Sequence, residues 1–448
     1  MVVMKFGGTS VASLEMIDRV LDIAWNRADE APVLVSSAMG KTTDALLLLT
    51  GQAARGEKEL VGDLLTELEA SHLDAVSAFS NEEIRERTAT ATKELADQLR
   101  SLLTGVTLIQ ECSPRTQDAV LSFGERLATT IIEGRALDRG MSATMLDSRQ
   151  LITTDDQFAE ANVLFSRTYA SISENISPEA GKIVILQGFI ASTAQGVTST
   201  LGRGGSDYTA SIVAAGLGAD SVEIWTDVDG IMTMDPRLVA EAHTVPRMSY
   251  DEAAELAFFG ARVVHPSAIQ PAIEHGVRVF VRNTSKPDMP GTEISAQAGA
   301  GGVRALASKS PTSVVTIHSS RMLNAYGFLS RIFSVFERHR ISVDVVATSE
   351  VSVSVTIDDP PDLTDLIKEL SGFARVERED NQAILCLVGT DLWKDSQTLA
   401  RAFSALQQLP IRLISLGSSD VNLTVVLPAD VIGQAARALH SEFFDASK

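Results

Sequence analysis

Val2-Val3-Met4-Lys5-Phe6-Gly7-Gly8-Thr9-Ser10 begins with an apolar run, broken by one lysine, that stops at a pair of glycines. Such a run predicts a strand buried on both faces of a parallel sheet, with Lys5 near its C-terminal end. Beyond the glycines, Val11, Leu14, Ile17, Val20 and Leu21 recur at helical spacing, so the stretch reads as strand, tight turn and helix. The backbone amides of that corner can cradle a phosphate, and a lysine beside them calls for an anion. The alternative is a lysine snorkelling over an ordinary turn.

Working outward, the same alternation continues. Pro32-Val33-Leu34-Val35-Ser36-Ser37 is a second strand, followed by a polar turn and the helical run Ala45 to Leu49. Ala143 to Asp147, Ile183 to Ile190, Val222 to Ile231 and Val277 to Val281 read as further strands between helical patterns, which argues for a layered α/β domain. Gly40-Lys41-Thr42 imitates the end of a P-loop, but the first glycine of that motif would fall at Val35, inside the strand. Ser36 and Thr42 put hydroxyls at a strand's C-terminal end, where ligands of open α/β sheets bind.

Three further stretches carry chemistry. In Leu201-Gly202-Arg203-Gly204-Gly205-Ser206-Asp207-Tyr208-Thr209, glycines, a guanidinium, a hydroxyl and a carboxylate precede a helix. The stretch reads either as a site for a charged ligand or as a flexible loop capped by Ser206 or Asp207. Glu125 in Phe123-Gly124-Glu125-Arg126-Leu127 sits among apolar residues and needs a cation, from a ligand ammonium or a structural arginine. Asp227 and Asp229 follow Thr226 at a strand end, where they serve a nucleotide or Mg²⁺, or simply a turn. His72 and His265 read as structural histidines.

Composition bounds the function. The 448 residues are 45% hydrophobic and 21% charged, enough for two or three domains with real cores. Thirty-eight basic against 58 acidic residues give a formal charge of −20, which disfavours nucleic acid and anionic membrane as partners. Cys112 and Cys386 are too few for a disulfide framework or a zinc site and read as buried thiols. No metal-ligand cluster is legible. The N-terminus enters its strand with no leader, and no apolar run approaches 18 residues, so the expectation is a cytoplasmic protein.

Ala296 to Gly302 is small and glycine-rich, the best linker in the chain. After it come Val314 to His318 (strand), Gly327 to His339 (helix), Ile341 to Val346 (strand) and Val351 to Ile357 (strand). The order recurs in Ala383 to Val388, Ser396 to Gln407, Ile411 to Leu416 and Val421 to Leu427. Ser349 and Val351 match Ser419 and Val421 at an offset of about 70 residues, which predicts a duplicated α+β module.

Lys5-Phe6-Gly7-Gly8-Thr9-Ser10, Val35 to Gly40, Phe123-Gly124-Glu125, the 201–209 loop, Thr226 to Ile231 with Asp235-Pro236-Arg237, and Val264-His265-Pro266 together resemble the aspartate kinases. The resemblance spans essentially the whole chain. It implies an amino-acid-kinase fold, three layers α/β/α around a mostly parallel sheet, over residues 1–295. Two ferredoxin-like ACT domains would follow over 303–378 and 381–448, the second mainly for dimerisation, with no fused homoserine dehydrogenase. It implies transfer of the γ-phosphoryl group of ATP, with Mg²⁺, to the β-carboxylate of L-aspartate, the first step toward lysine, threonine and methionine.

By the same resemblance Lys5 and Asp207 are catalytic. Ser36, Thr42, Glu125, Arg203 and Ser206 hold aspartate, while Lys5, Gly7, Gly8, Thr226, Asp227, Met232, Arg237 and Arg262 hold the nucleotide. Many relatives have an aromatic residue where Met232 stands and a lysine where Arg262 stands, which puts nucleotide affinity in question. Met322, Tyr326, Gly327, Phe328, Ser342, Val343, Asp344, Thr348, Ser349 and Glu350 resemble a lysine-binding effector segment, with threonine as the alternative effector. A homodimer through the ACT domains, or a higher oligomer, is expected. The rival readings are another amino-acid or carbamate kinase of this fold, and a catalytically inactive amino-acid sensor. Phe123-Gly124-Glu125 with the paired modules opposes the first, and retention of Lys5, Arg203 and Asp207 opposes the second.

Overall fold

The computed structural model describes residues 1–260, 264–296, 301–319, 326–358, 362–417 and 419–445. Two compact units emerge: Met1–Gly230 with Val263–Ala296, and Ile231–Arg262 with Gln297–Lys448.

In the first unit, β1 (Val2–Phe6), β2 (Val33–Ser36), β3 (Ala143–Leu146), β4 (Ile183–Gln187), β5 (Ser221–Thr226), β6 (Arg278–Asn283) and β7 (Thr292–Ser295) lie in the spatial order β3-β4-β2-β1-β5-β6-β7. All neighbours are parallel except β6 and β7. Strand alternation divides the sheet's faces. Val2, Met4, Phe6, Leu34 and Ile185 join one core cluster with Ile17 and Leu21 of the helix Leu14–Trp25 and Ile131 and Ile132 of the helix Phe123–Asp138. Val3 and Lys5 face the other way, toward the side that the helix Gly205–Leu217 covers.

In the second unit, β8 (Gly302–His318), β9 (Val346–Thr348), β10 (Ser352–Asp358), β11 (Arg375–Thr390), β12 (Leu413–Leu416) and β13 (Asn422–Pro428) form one antiparallel sheet in the order β9-β10-β8-β11-β13-β12. Each half repeats strand, helix, two strands and helix, with Phe328–Arg338 and Thr364–Ser371 in the first and Ser396–Ala405 and Ile432–Phe444 in the second. The duplication extends to detail. The Val351 N–H donates to Ser349 Oγ and the Val421 N–H to Ser419 Oγ, the same turn some 70 residues apart.

Several expectations need correction. β8 and β11 are far longer than the strands read at 314–318 and 383–388, because register shifts carry pairing past Ser310-Pro311, where a proline would otherwise end the ladder. Residues 341–345 are irregular, and the strand starts only at Val346. Cys112 is half-buried rather than buried, while Cys386 is buried. Gly302 already belongs to β8, and 297–300 of the expected linker lie outside the described residues. Residues 231–260 group with the C-terminal part, since Met234 and Val239 enter the core of Leu385, Leu423 and Leu439.

Candidate active site

The Lys5 ammonium, at the C-terminal end of the apolar strand β1, needs a counter-charge. The opposing helix supplies one: Lys5 Nζ lies 2.6 Å from Asp207 Oδ1, with the two side chains 12% and 13% exposed. Asp207 stands in the first turn of Gly205–Leu217, where the helix dipole favours a carboxylate. The helix N-cap is Gly204, in the left-handed region at φ 72°, with no side-chain cap. The expectation that Ser206 or Asp207 caps the helix is therefore overturned: both sit inside the first turn, which leaves Asp207 free to pair with Lys5.

Close backbone approach explains the neighbouring glycines. A Cβ on Gly8 would meet the carbonyl oxygens of Gly40 at 2.9 Å and Ala38 at 3.0 Å, so the turn after β1 and the turn after β2 interlock only because Gly8 has none. The Gly40 N–H donates to the Gly8 carbonyl at 3.0 Å. A Cβ on Gly124 would lie 2.8 Å from that of Ala38. This approach brings the next residue, Glu125, against the second turn, where its Oε1 accepts the Ala38 N–H at 3.2 Å.

Glu125 is 3% exposed, and its Oε2 has no hydrogen-bond partner. Burial pushes its carboxyl up to about 8, against the smaller pull of backbone N–H groups. Among the described residues no arginine meets it, so the structural-arginine alternative finds no support there, and the carboxyl lines a cavity of about 240 Å³. Lys5, Asp207, Ser206 and the glycines 202, 204 and 205 line the same cavity.

Besides Ser206, the hydroxyl residues lining this cavity are Ser37 and Thr43, with Phe189 as its apolar wall. Ser36 and Thr42, singled out in the sequence, are buried instead, and Ser36 Oγ donates to the Ser37 carbonyl. The register gives the reason. Ser36 pairs with Phe6 and Val35 with Lys5, so Ser36 shares the Phe6 face and Ser37 the Lys5 face. Arg203 is exposed beside the cavity's glycines.

Among the nucleotide candidates of the first unit, Gly7 and Gly8 flank Lys5, and Thr226 Oγ1 donates to Asp227 Oδ1 at 3.1 Å. Asp229 is engaged by Asn283 Nδ2 at 2.5 Å and Lys286 Nζ at 2.7 Å, which hold its carboxyl below the usual range. In the second unit, Met232 forms a bridge with Thr244, and the exposed Arg237 is gripped in fork geometry by Asp235, its Nη2 at 2.6 Å from Oδ2. Arg262 lies outside the described residues. Of the two histidines, His265 Nδ1 bonds Ser267 Oγ, and His72 Nδ1 bonds the Leu68 carbonyl while its buried Nε2 has no hydrogen-bond partner.

The effector candidates gather around the first module's helix Phe328–Arg338, which starts after Gly327 in the left-handed region. Tyr326 is fully exposed, Phe328 stacks edge-on to Phe373, and Ser342, Thr348, Ser349 and Glu350 are exposed with Val343 half-buried. Asp344 differs from expectation. Its buried carboxylate is taken by Lys309 Nζ at 2.8 Å, which also reaches Asp358 at 2.7 Å. Met322 lies outside the described residues.

A cation, a partnerless buried carboxyl oxygen and a glycine-fronted helix N-terminus, all at the C-terminal edge of a parallel sheet without a P-loop, make a site suited to a small molecule that carries both anionic groups and an ammonium. The profile of the Amino acid kinase family matches residues 1–283, and that of the ACT domain matches 315–361 and 385–443. Lysine-sensitive aspartokinase 3 of Escherichia coli is 35% identical, covering 99% of each chain. Aspartokinase 3, chloroplastic, of Arabidopsis thaliana is 36% identical over 99% of this chain and 81% of its own. Escherichia coli aspartokinase III superposes with a TM-score of 0.86 in complex with lysine and aspartate (34% identity, 99% of this chain, 100% of that one). Its complex with aspartate and ADP gives 0.82 (35% identity, with the same coverage). The chain belongs to the aspartokinase family, and is thus an ATP-dependent phosphotransferase with a carboxylate acceptor.

Proposed function

We propose that the chain transfers the γ-phosphoryl group of ATP to the β-carboxylate of L-aspartate in the cavity between Lys5, Glu125 and Asp207, and that lysine inhibits it. The observation that carries this reading is the confinement of the Lys5 ammonium and the partnerless Glu125 oxygen in one small cavity. An aspartate carboxyl, with a solution pKa of about 3.9, is ionised at neutral pH, so the nucleophile needs no general base. The chain's task is to align two anions and neutralise charge on the group in transit.

Lys5 is the neutralising cation, Asp207 holds its ammonium in place, and the amides of Gly7 and Gly8 complete the cradle. Glu125 receives the substrate ammonium, Arg203 its α-carboxylate by bidentate contact, and Ser206 with the cavity-lining hydroxyls of Ser37 and Thr43 supports the pose, in place of the Ser36 and Thr42 expected from sequence. Thr226, Asp227, Met232, Arg237 and Arg262 serve the nucleotide. Mg²⁺ is expected to enter on the nucleotide's phosphates. No helix of the described residues is long and apolar enough to cross a membrane, and we take the protein as cytoplasmic. The catalytic domain is assigned to 1–295 less the segment 231–262, which groups with the C-terminal unit, and the two ACT domains to 303–378 and 381–448, with a homodimer built through the ACT pair.

Lysine is expected to raise the half-saturation for substrate with a coupling of about 1–3 kcal/mol. The measurement is turnover of ATP plus L-aspartate across titrations of lysine, threonine and both. Inhibition by threonine with none by lysine would reverse the effector assignment.

A further inference from the structure

We infer that His440 and Thr233 are positioning residues for nucleotide binding, the regulatory unit's last helix holding the segment that carries Met232 and Arg237. The inference rests on the proposed role of those two residues. Thr233 is 2% exposed and follows Met232 directly. Every polar group of it is committed. Its N–H donates to the His243 carbonyl at 2.8 Å, its carbonyl accepts the Leu306 N–H of β8 at 2.7 Å, and its hydroxyl oxygen accepts the His243 N–H at 3.1 Å. That hydroxyl also shares a hydrogen bond of 3.0 Å with His440 Nε2. His440 is itself 2% exposed, on the helix Ile432–Phe444.

On the far side of Thr233, Met234 is buried among the leucines of the second module, and Asp235 then clamps Arg237. The chain from 232 to 237 thus has its two binding groups, the half-buried Met232 and the exposed Arg237, separated by two buried anchors, Thr233 and Met234. Both anchors belong to the regulatory fold. Removing one partner of a buried hydrogen bond leaves the other unsatisfied, at a cost large enough to shift the segment. The expected consequence falls on ATP and spares aspartate, because the residues of the aspartate cavity lie on other elements.

The experiment is steady-state kinetics on the full-length enzyme with His440→Leu, His440→Gln, Thr233→Val and Arg237→Ala. His440→Leu and Thr233→Val should each raise the KM for ATP about tenfold with the KM for aspartate unchanged within about twofold. His440→Gln, which keeps a hydrogen-bonding group on that side, should recover most of the loss. A raised ATP KM in Arg237→Ala without one in the folded His440 and Thr233 variants would overturn the inference. An unchanged ATP KM in Arg237→Ala would instead overturn the nucleotide reading beneath it. Equal rises in both KM values would mark His440 as merely structural and also overturn it. If His440→Leu fails to fold, Thr233→Val decides between these outcomes.

Discussion

Lys5→Ala lowers kcat by about 100-fold or more, the scale for deleting a preorganised contact to charge that develops in the transition state. The ammonium is fixed at 2.6 Å from Asp207, with both side chains largely buried, so little reorganisation is needed when the phosphoryl group arrives. Asp207→Ala should act through the same atom. It leaves the cation but frees its position, so its loss in kcat should be similar and the double variant little worse than either single one. The check is kcat for the two single variants and the double, with thermal unfolding as a control for folding. Additive losses would mean that Lys5 and Asp207 work separately.

Glu125→Gln raises the KM for aspartate by on the order of 100-fold, since a buried ammonium would lose its counter-charge. The wild-type enzyme should also show a pH dependence of that KM. Burial holds the Glu125 carboxyl up at about 8 in the folded protein, so below that value the free enzyme carries a proton there that must leave when an ammonium binds. The KM for aspartate should therefore fall as pH rises from 6 to 8, by up to about tenfold per unit, and level off above. The sign for stability is opposite. A carboxyl whose folded pKa lies above its unfolded value costs stability progressively as pH climbs from about 4.5 to about 8. Glu125→Gln should accordingly melt higher than wild type at pH 8 while binding aspartate worse. A flat profile of KM against pH would remove the ammonium role from Glu125.

Much of this site could be read before any coordinates, because its parts are local. A lysine closing an apolar strand before Gly7-Gly8, and a glutamate behind Gly124, each advertise an unmet charge in a stretch of a few residues. What resisted reading depends on register and on distance along the chain. Ser36 and Ser37 are adjacent, and only the pairing of Lys5 with Val35 decides which hydroxyl faces the cavity. Lys309 is an unremarkable lysine in sequence. Its meaning comes from Asp344, 35 residues on, whose buried carboxyl it occupies. The segment 231–260 looked like part of the kinase domain because the strand before it is. Its anchors, Leu385, Leu423, Leu439 and His440, lie far along the chain, where no local pattern points back to Thr233 and Met234. The length of β8 was hidden for a related reason: a proline such as Pro311 breaks a ladder unless a register shift absorbs it, and the shift is a property of two strands together.

The central claim is that the cavity reads its substrate through the ammonium at Glu125 and the phosphoryl end at Lys5. It is tested most directly by comparing L-aspartate with succinate, which keeps both carboxylates and lacks the ammonium, as acceptors in an ATP-dependent hydroxamate-trapping assay. The account predicts a kcat/KM for succinate lower by about 100-fold or more than for L-aspartate. Comparable values for the two acceptors would contradict it.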